Sequence, residues 1–257
     1  MKLGGSEFIG HTVPLDEGRL AFLCRHRPGP ALVLIPGSFN DASEWEDVVA
    51  RLDENLALVI VELRGHGGSW PPPRRGSIGQ FASDVLMVVD ELGLKRFYVG
   101  GHSIGGMVAL EVARVRAEGV LAAISVEGWT NHRAPREAFP DSANDTPSPA
   151  LRARIAEIRG RVTARWSAED LQAFGKIWRM WDGYEFLCST GTPILEVYGD
   201  RGREKPPLAA LYIPGRPNIT VRWIEGASHY LPLERPVEVA QAFMEFIGRS
   251  ERGPQRA

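Results

Sequence analysis

The chain has 257 residues, 44% of them apolar and 24% charged, a globular composition long enough to bury a core without disulfides or metals. A formal net charge of −2 and an isoelectric point near 6.3 supply no basic field for nucleic acid or an anionic membrane surface. Two cysteines, Cys24 and Cys188, make neither a disulfide framework nor a metal-ligand pattern, so the expectation is a reduced, cytoplasmic protein.

From Met1 to Glu7 the chain lacks the apolar stretch of a secretory leader, and no later run approaches the ~18 apolar residues of a membrane span. Short apolar runs at Phe8 to Val13 and Leu20 to Cys24, separated by Asp16-Glu17-Gly18, predict a hairpin. Ala31 to Ile35 is then an unbroken apolar run stopped by Pro36-Gly37. Similar runs follow at Leu56 to Val61, Phe97 to Gly100, Val120 to Val126, Ile194 to Tyr198 and Ile219 to Ile224. Unbroken apolar strands belong in a parallel sheet covered on both faces. Helical patterns lie between them: a helix capped by Ser77 and ended by Gly93, another over Ile104 to Ala117, and a third over Val237 to Ile247. The alternation predicts a doubly wound, mostly parallel eight-stranded α/β sheet with its ligand edge at the strand C-termini.

Between Gly128 and Gly191 the alternation stops. A polar, Pro-rich loop (Ala134 to Pro149) leads into two helical patterns, the second with Leu171, Phe174, Trp178 and Trp181 as one apolar stripe. The expected organisation is a core of residues 1–127 and 192–257 with a helical cap at 128–191, and a frayed tail from Gly253 to Ala257.

Gly101-His102-Ser103-Ile104-Gly105 matches G-x-S-x-G, lying between a predicted strand and a predicted helix. That context is what the pattern requires, because a turn tight enough to expose a serine hydroxyl leaves no room for neighbouring Cβ atoms. Three further segments carry a resemblance: Pro36-Gly37-Ser38-Phe39, Leu63-Arg64-Gly65-His66-Gly67-Gly68-Ser69, and Gly226-Ala227-Ser228-His229-Tyr230 with the Pro-rich continuation to Pro236. Over nearly its whole length the chain resembles the α/β-hydrolase superfamily.

The resemblance implies a nucleophile at Ser103 and a general base at His229, since a serine hydroxyl attacks poorly until an imidazole accepts its proton. It also implies an oxyanion hole from the backbone N–H groups of Ser38 and Ile104, with Phe39 as alternative to Ser38. The acid has two candidates. Asp200 lies in the loop after the seventh strand, but two residues early. Glu127 ends the sixth strand, where some haloalkane dehalogenases and fungal lactone hydrolases of the superfamily place a glutamate. Glu127 is preferred, because a carboxylate ending a buried strand needs a partner and a histidine at the same sheet edge supplies one. Serine at 103 disagrees with the aspartate nucleophile that dehalogenases and epoxide hydrolases require.

The implied activity is carboxylic-ester hydrolysis of a hydrophobic or aromatic small molecule, with lactone opening the favoured variant and no metal or organic cofactor. Carbon–carbon bond hydrolysis, acyl transfer, a cofactor-free lyase and a non-catalytic ligand receptor are the alternatives. Phe39, His102, Trp129 and Tyr230 are the expected pocket residues. Phe174, Trp178 and Trp181 are read as docking the cap, and the arginines from Arg133 to Arg165 as a solvated face diluted by Glu137, Asp141, Asp145 and Glu157. Oligomeric state, a homo-oligomer included, stays open.

Overall fold

The computed structural model describes residues 1–73, 76–140 and 147–251. Asp141, Asp145, part of the Pro-rich loop and the Gly253–Ala257 tail lie outside them. A short antiparallel pair, β1 (Lys2–Leu3) and β2 (Ser6–Glu7), precedes the predicted hairpin, β3 (Ile9–Pro14) and β4 (Arg19–Arg25). The parallel strands follow: β5 (Ala31–Ile35), β6 (Ala57–Val61), β7 (Phe97–His102), β8 (Val120–Val126), β9 (Ile194–Gly199) and β10 (Ile219–Ile224). The eight-stranded sheet runs β10-β9-β8-β7-β5-β6-β4-β3, antiparallel only at β3/β4 and β4/β6.

The apolar runs divide between two layers because successive side chains point to opposite faces. On β5, Ala31, Val33 and Ile35 pack with α2 (Ile78–Glu91) and α3 (Ile104–Val115). Leu32 and Leu34 face the other way, toward α1 (Glu46–Val49) and α9 (Pro236–Glu251). Ser77 caps α2 by accepting from Gln80 N, and Gly93 ends it at φ +63°. The helix after the serine stops at Val115, two residues short of expectation. The last helix is longer than its apolar stripe, running from Pro236, which suits a first helical turn, to Glu251.

Among the described residues four α-helices lie between β8 and β9: α4 (Ala134–Ala138), α5 (Pro149–Thr163), α6 (Ala168–Phe174) and α7 (Tyr184–Ser189). Two expectations need correction. Part of the predicted loop is the helix α4. The stripe from Leu171 to Trp181 is not one helix, because α6 ends at Phe174 and a 3-10 turn covers Ile177–Met180. Its aromatics nevertheless dock: Phe174 is buried in the core layer under α2 and α3, and Trp178 and Trp181 pack against it. The Trp181 indole donates to Glu111 Oε2 at 3.0 Å. α8 (Leu231–Glu234) is a single turn leading into α9. Among the described residues no helix is long and apolar enough to cross a membrane.

Strand order reverses between β5 and its two parallel neighbours, β6 and β7. The C-terminal ends of β5, β7, β8 and β9 therefore meet at one edge, the place where open α/β sheets hold ligands.

Candidate active site

Ser103 follows β7 at φ 54°, ψ −120°, a strained turn for a residue with a Cβ. The residues two positions away on either side must be glycine. A Cβ on Gly101 would lie 2.1 Å from Gly105 O, and one on Gly105 would lie 2.2 Å from Ile35 O. The turn thus presses against the end of β5 and lifts the serine hydroxyl clear. His229 Nε2 lies 3.1 Å from Ser103 Oγ, and His229 Nδ1 lies 3.2 Å from Glu127 Oε2. The loop carrying His229 is pinned by Glu234, whose Oε2 accepts from Ser228 N and Ser228 Oγ, both at 2.7 Å.

Glu127 ends β8 at φ 53° and is 0% exposed. Four donors meet its carboxylate: His229 Nδ1, Gly199 N at 2.7 Å, and both terminal nitrogens of Arg201, at 3.2 and 2.6 Å. Burial pushes its carboxyl up, but the His229 hydrogen bond and the Arg201 charge outweigh that and hold it below the ordinary glutamate range. A carboxylate on Nδ1 fixes the tautomer with the proton there, leaving Nε2 free to accept the serine proton. Burial lowers the His229 pKa; Glu127 opposes the shift, and the charges of His102 and Arg201 add to it.

Asp200 is not brought to His229. Its Oδ1 accepts from Gly202 N at 2.9 Å and Gly226 N at 2.7 Å, tying two loops together. Of the two acid candidates, only Glu127 touches the imidazole.

Pro36-Gly37-Ser38-Phe39 turns at the end of β5. Phe39 N donates to His66 Nε2 at 2.9 Å, so it is engaged elsewhere and is corrected as an alternative oxyanion donor. Ser38 stands next to it, and Ile104 opens α3 directly after the serine. His66 donates Nδ1 to Arg64 O at 3.0 Å; burial drives its pKa down to about 4, so it stays neutral and accepts from Phe39.

Two of the four expected pocket residues are placed differently. His102 is buried beneath the site, its Nδ1 2.7 Å from Glu44 Oε1 and its Nε2 2.8 Å from His229 O. Both nitrogens face acceptors, which only the doubly protonated ring satisfies. Burial opposes that charge, but Glu44 outweighs it and raises the pKa. The Phe39 ring packs against Trp166 (5.7 Å) and Phe174 (5.1 Å) with the Arg159 guanidinium 4.7 Å over it, and is not part of the cleft wall. Trp129 and Tyr230 do line the cleft, a cavity of about 730 Å³ that reaches His229. Trp129 stacks on His229 at 5.8 Å and 15°.

Arg201 is the residue that sequence reading missed. It adopts φ 58°, its side chain is 3% exposed, and its guanidinium lies 3.7 Å over the Phe139 ring. Phe39, Ser103, Glu127 and Arg201 are four of the five non-glycine residues with positive φ among the described residues. Backbone strain of this kind persists where surrounding structure over-determines it, commonly at functional sites.

Among the described residues a metal could be considered only at His11, Cys24 and His26, whose ligand atoms lie within 4.8 Å of one another. They sit on or just after the β3–β4 hairpin, whose strands are the third and fourth from β7. Burial pushes the Cys24 thiol up to about 11, which opposes ligation as a thiolate.

A family model described as "Alpha/beta hydrolase family" matches residues 32–242. A carbamate hydrolase of Pseudomonas savastanoi, described as putative by name, is 31% identical over 109 residues; that match spans 42% of this chain and 42% of that protein. N-formylmaleamate deformylase of Pseudomonas putida is 25% identical over 272 residues, covering 94% of this chain and 98% of that one. Among solved structures, a bacterial membrane phospholipase A superposes with a TM-score of 0.78 at 24% identity, over 96% of this chain and 87% of the other.

Proposed function

The chain belongs to the alpha/beta hydrolase family, and on that premise we propose that it is a serine hydrolase cleaving a carboxylic ester or lactone through an acyl-enzyme on Ser103. The observation that carries this reading is the 3.1 Å approach of His229 Nε2 to Ser103 Oγ, with Glu127 on the opposite ring nitrogen. Ser103 attacks the acyl carbonyl while His229 takes its proton. Glu127 holds the imidazole in the required tautomer and stabilises the cation that forms. The backbone N–H groups of Ser38 and Ile104 receive the developing oxyanion, a contribution often the largest in acyl transfer. His229 then protonates the leaving alcohol, and the same base activates the water that releases the acid.

Trp129, Ile155 and Tyr230 give the cleft apolar walls, which suit a hydrophobic or aromatic portion of the substrate. A second reading, hydrolysis of an acyl–nitrogen bond, is supported by the near full-length similarity to a deformylase. One experiment addresses both: turnover of chromogenic esters, aromatic lactones and a formanilide by wild type and Ser103→Ala. Turnover that disappears in Ser103→Ala supports the acyl-enzyme, and the best substrate selects the bond. Turnover that survives the substitution refutes the serine mechanism.

A further inference from the structure

The arginines of α5 are not equivalent. Leu151, Ile158 and Val162 form its buried stripe with Leu233. Arg154 and Arg161 leave the helix toward the core domain and are neutralised there. Arg154 reaches Asp47 Oδ2 at 2.6 Å, and Arg161 grips Asp41 at 2.9 and 3.1 Å. Arg152, Ile155, Ala156 and Arg159 follow the i, i+3, i+4, i+7 spacing of a single helix face, and all four line the cleft beside His229.

On that face the charges have no carboxylate partner among the described residues. Arg152 donates to a backbone carbonyl, Pro147 O, at 2.8 Å, and Arg159 lies over the Phe39 ring. Among the described residues no aspartate or glutamate lines the cleft, and Glu127, just behind it, is paired with Arg201. Seven residues of helix separate Arg152 from Arg159 by ~10 Å. Arg159 is the nearer to the reaction, since Phe39 adjoins the proposed oxyanion donor Ser38.

We propose that this site takes anionic acyl compounds, in which a second, unreactive carboxylate is held by Arg159, with Arg152 adding charge at the outer end of the cleft. The aromatic wall made by Trp129 and Tyr230 would cover the segment between that carboxylate and the reacting carbonyl. The proposal rests on the cleft serving Ser103, so its test is built on binding as well as turnover.

In the Ser103→Ala protein, monomethyl glutarate and dimethyl glutarate are titrated by isothermal calorimetry. The monoanion should bind more tightly than the neutral diester. Arg159→Gln in the same background should reduce that preference about tenfold, Arg152→Gln by less, and added salt should weaken it. Equal binding of anion and diester, or an equal loss of both in Arg159→Gln, overturns the proposal.

In wild type the matching readout is the ratio of kcat/KM for 4-nitrophenyl hemisuccinate over 4-nitrophenyl butyrate, which should exceed one and collapse in Arg159→Gln. If neither ester turns over while the monoanion still binds selectively, the serine mechanism falls and the anion site stands. Turnover with a ratio at or below one leaves the mechanism and removes the anion site.

Discussion

Glu127 accepts from four donors, two of them from Arg201, and that crowding sets the chemistry expected of His229. A carboxylate shared with a guanidinium stabilises an imidazolium less than an unshared one, and the Arg201 and His102 charges repel that cation directly. All three effects lower the His229 pKa, keeping the free base available on the acid side of neutrality. Replacing Arg201 by Met removes two of them, the sharing of Glu127 and the direct repulsion. The acid limb of kcat/KM, set by deprotonation of His229, should then move to higher pH. An unmoved limb would show that Arg201 only fills space. The same change breaks a buried ion pair, so unfolding free energy should fall by about 3 kcal/mol. Glu127→Gln should reduce kcat roughly 10⁴-fold by losing the tautomer-fixing acceptor. Asp200→Asn should keep kcat near wild type and cost about 1 kcal/mol, because among the described residues its carboxylate binds the backbone N–H groups of Gly202 and Gly226. If Asp200→Asn is the crippling change, the acid has been misassigned.

At the scale of elements, the site depends on two loops that hold each other: the Pro36-to-Asn40 turn after β5 and the Arg64-to-Ser69 turn after β6. Arg64 fixes the second turn to α2 through a two-bond pairing with Asp84, both bonds 2.7 Å. His66 then fixes the first turn through Phe39 N. Phe39 is held at φ 60°, a conformation that a bulky residue keeps only under such constraint. The link works only while His66 is neutral. Its pKa in the fold is about 4 against an ordinary 6.5, so between those values the unfolded chain binds the proton and the folded chain does not. Stability contributed by this group is therefore complete above pH 6.5 and is lost as pH falls toward 4, by up to about 3 kcal/mol. Urea unfolding of wild type and His66→Gln across that window isolates the effect from the other histidines. The glutamine variant, whose amide oxygen can still accept from Phe39, should show a flatter pH dependence. Parallel curves would mean that His66 is already protonated in the fold.

Across the whole molecule, what the sequence made legible was local: unbroken apolar strands, the glycine spacing around Ser103, and the loop ahead of the last helix that carries His229. Glu127 was readable because a carboxylate ending a buried strand demands a partner. Its second partner was not, since Arg201 lies 74 residues away and nothing in its neighbourhood marks it. The burial of His102 depended likewise on Glu44, 58 residues distant, and the α5 arginines separate into neutralised and unpartnered sets only once the helix is docked. That docking has a centre. Trp166, from the segment between α5 and α6, donates its indole N–H to Gly65 O at 2.8 Å and packs edge-on to Phe39, His66 and Phe174. One side chain thereby joins the helices between β8 and β9 to both loops of the site. Trp166→Ala should cost about 3–5 kcal/mol of stability. It should also lower kcat, because Phe39 loses the surface that holds the neighbouring Ser38 N–H in line. Trp166→Phe keeps the ring contacts and loses only the hydrogen bond to Gly65, so it should cost about 1 kcal/mol and recover most of the turnover. A kcat loss in Trp166→Ala at unchanged thermal and urea stability would instead make Trp166 a substrate contact, and the link between these helices and the loops would have to run through other residues.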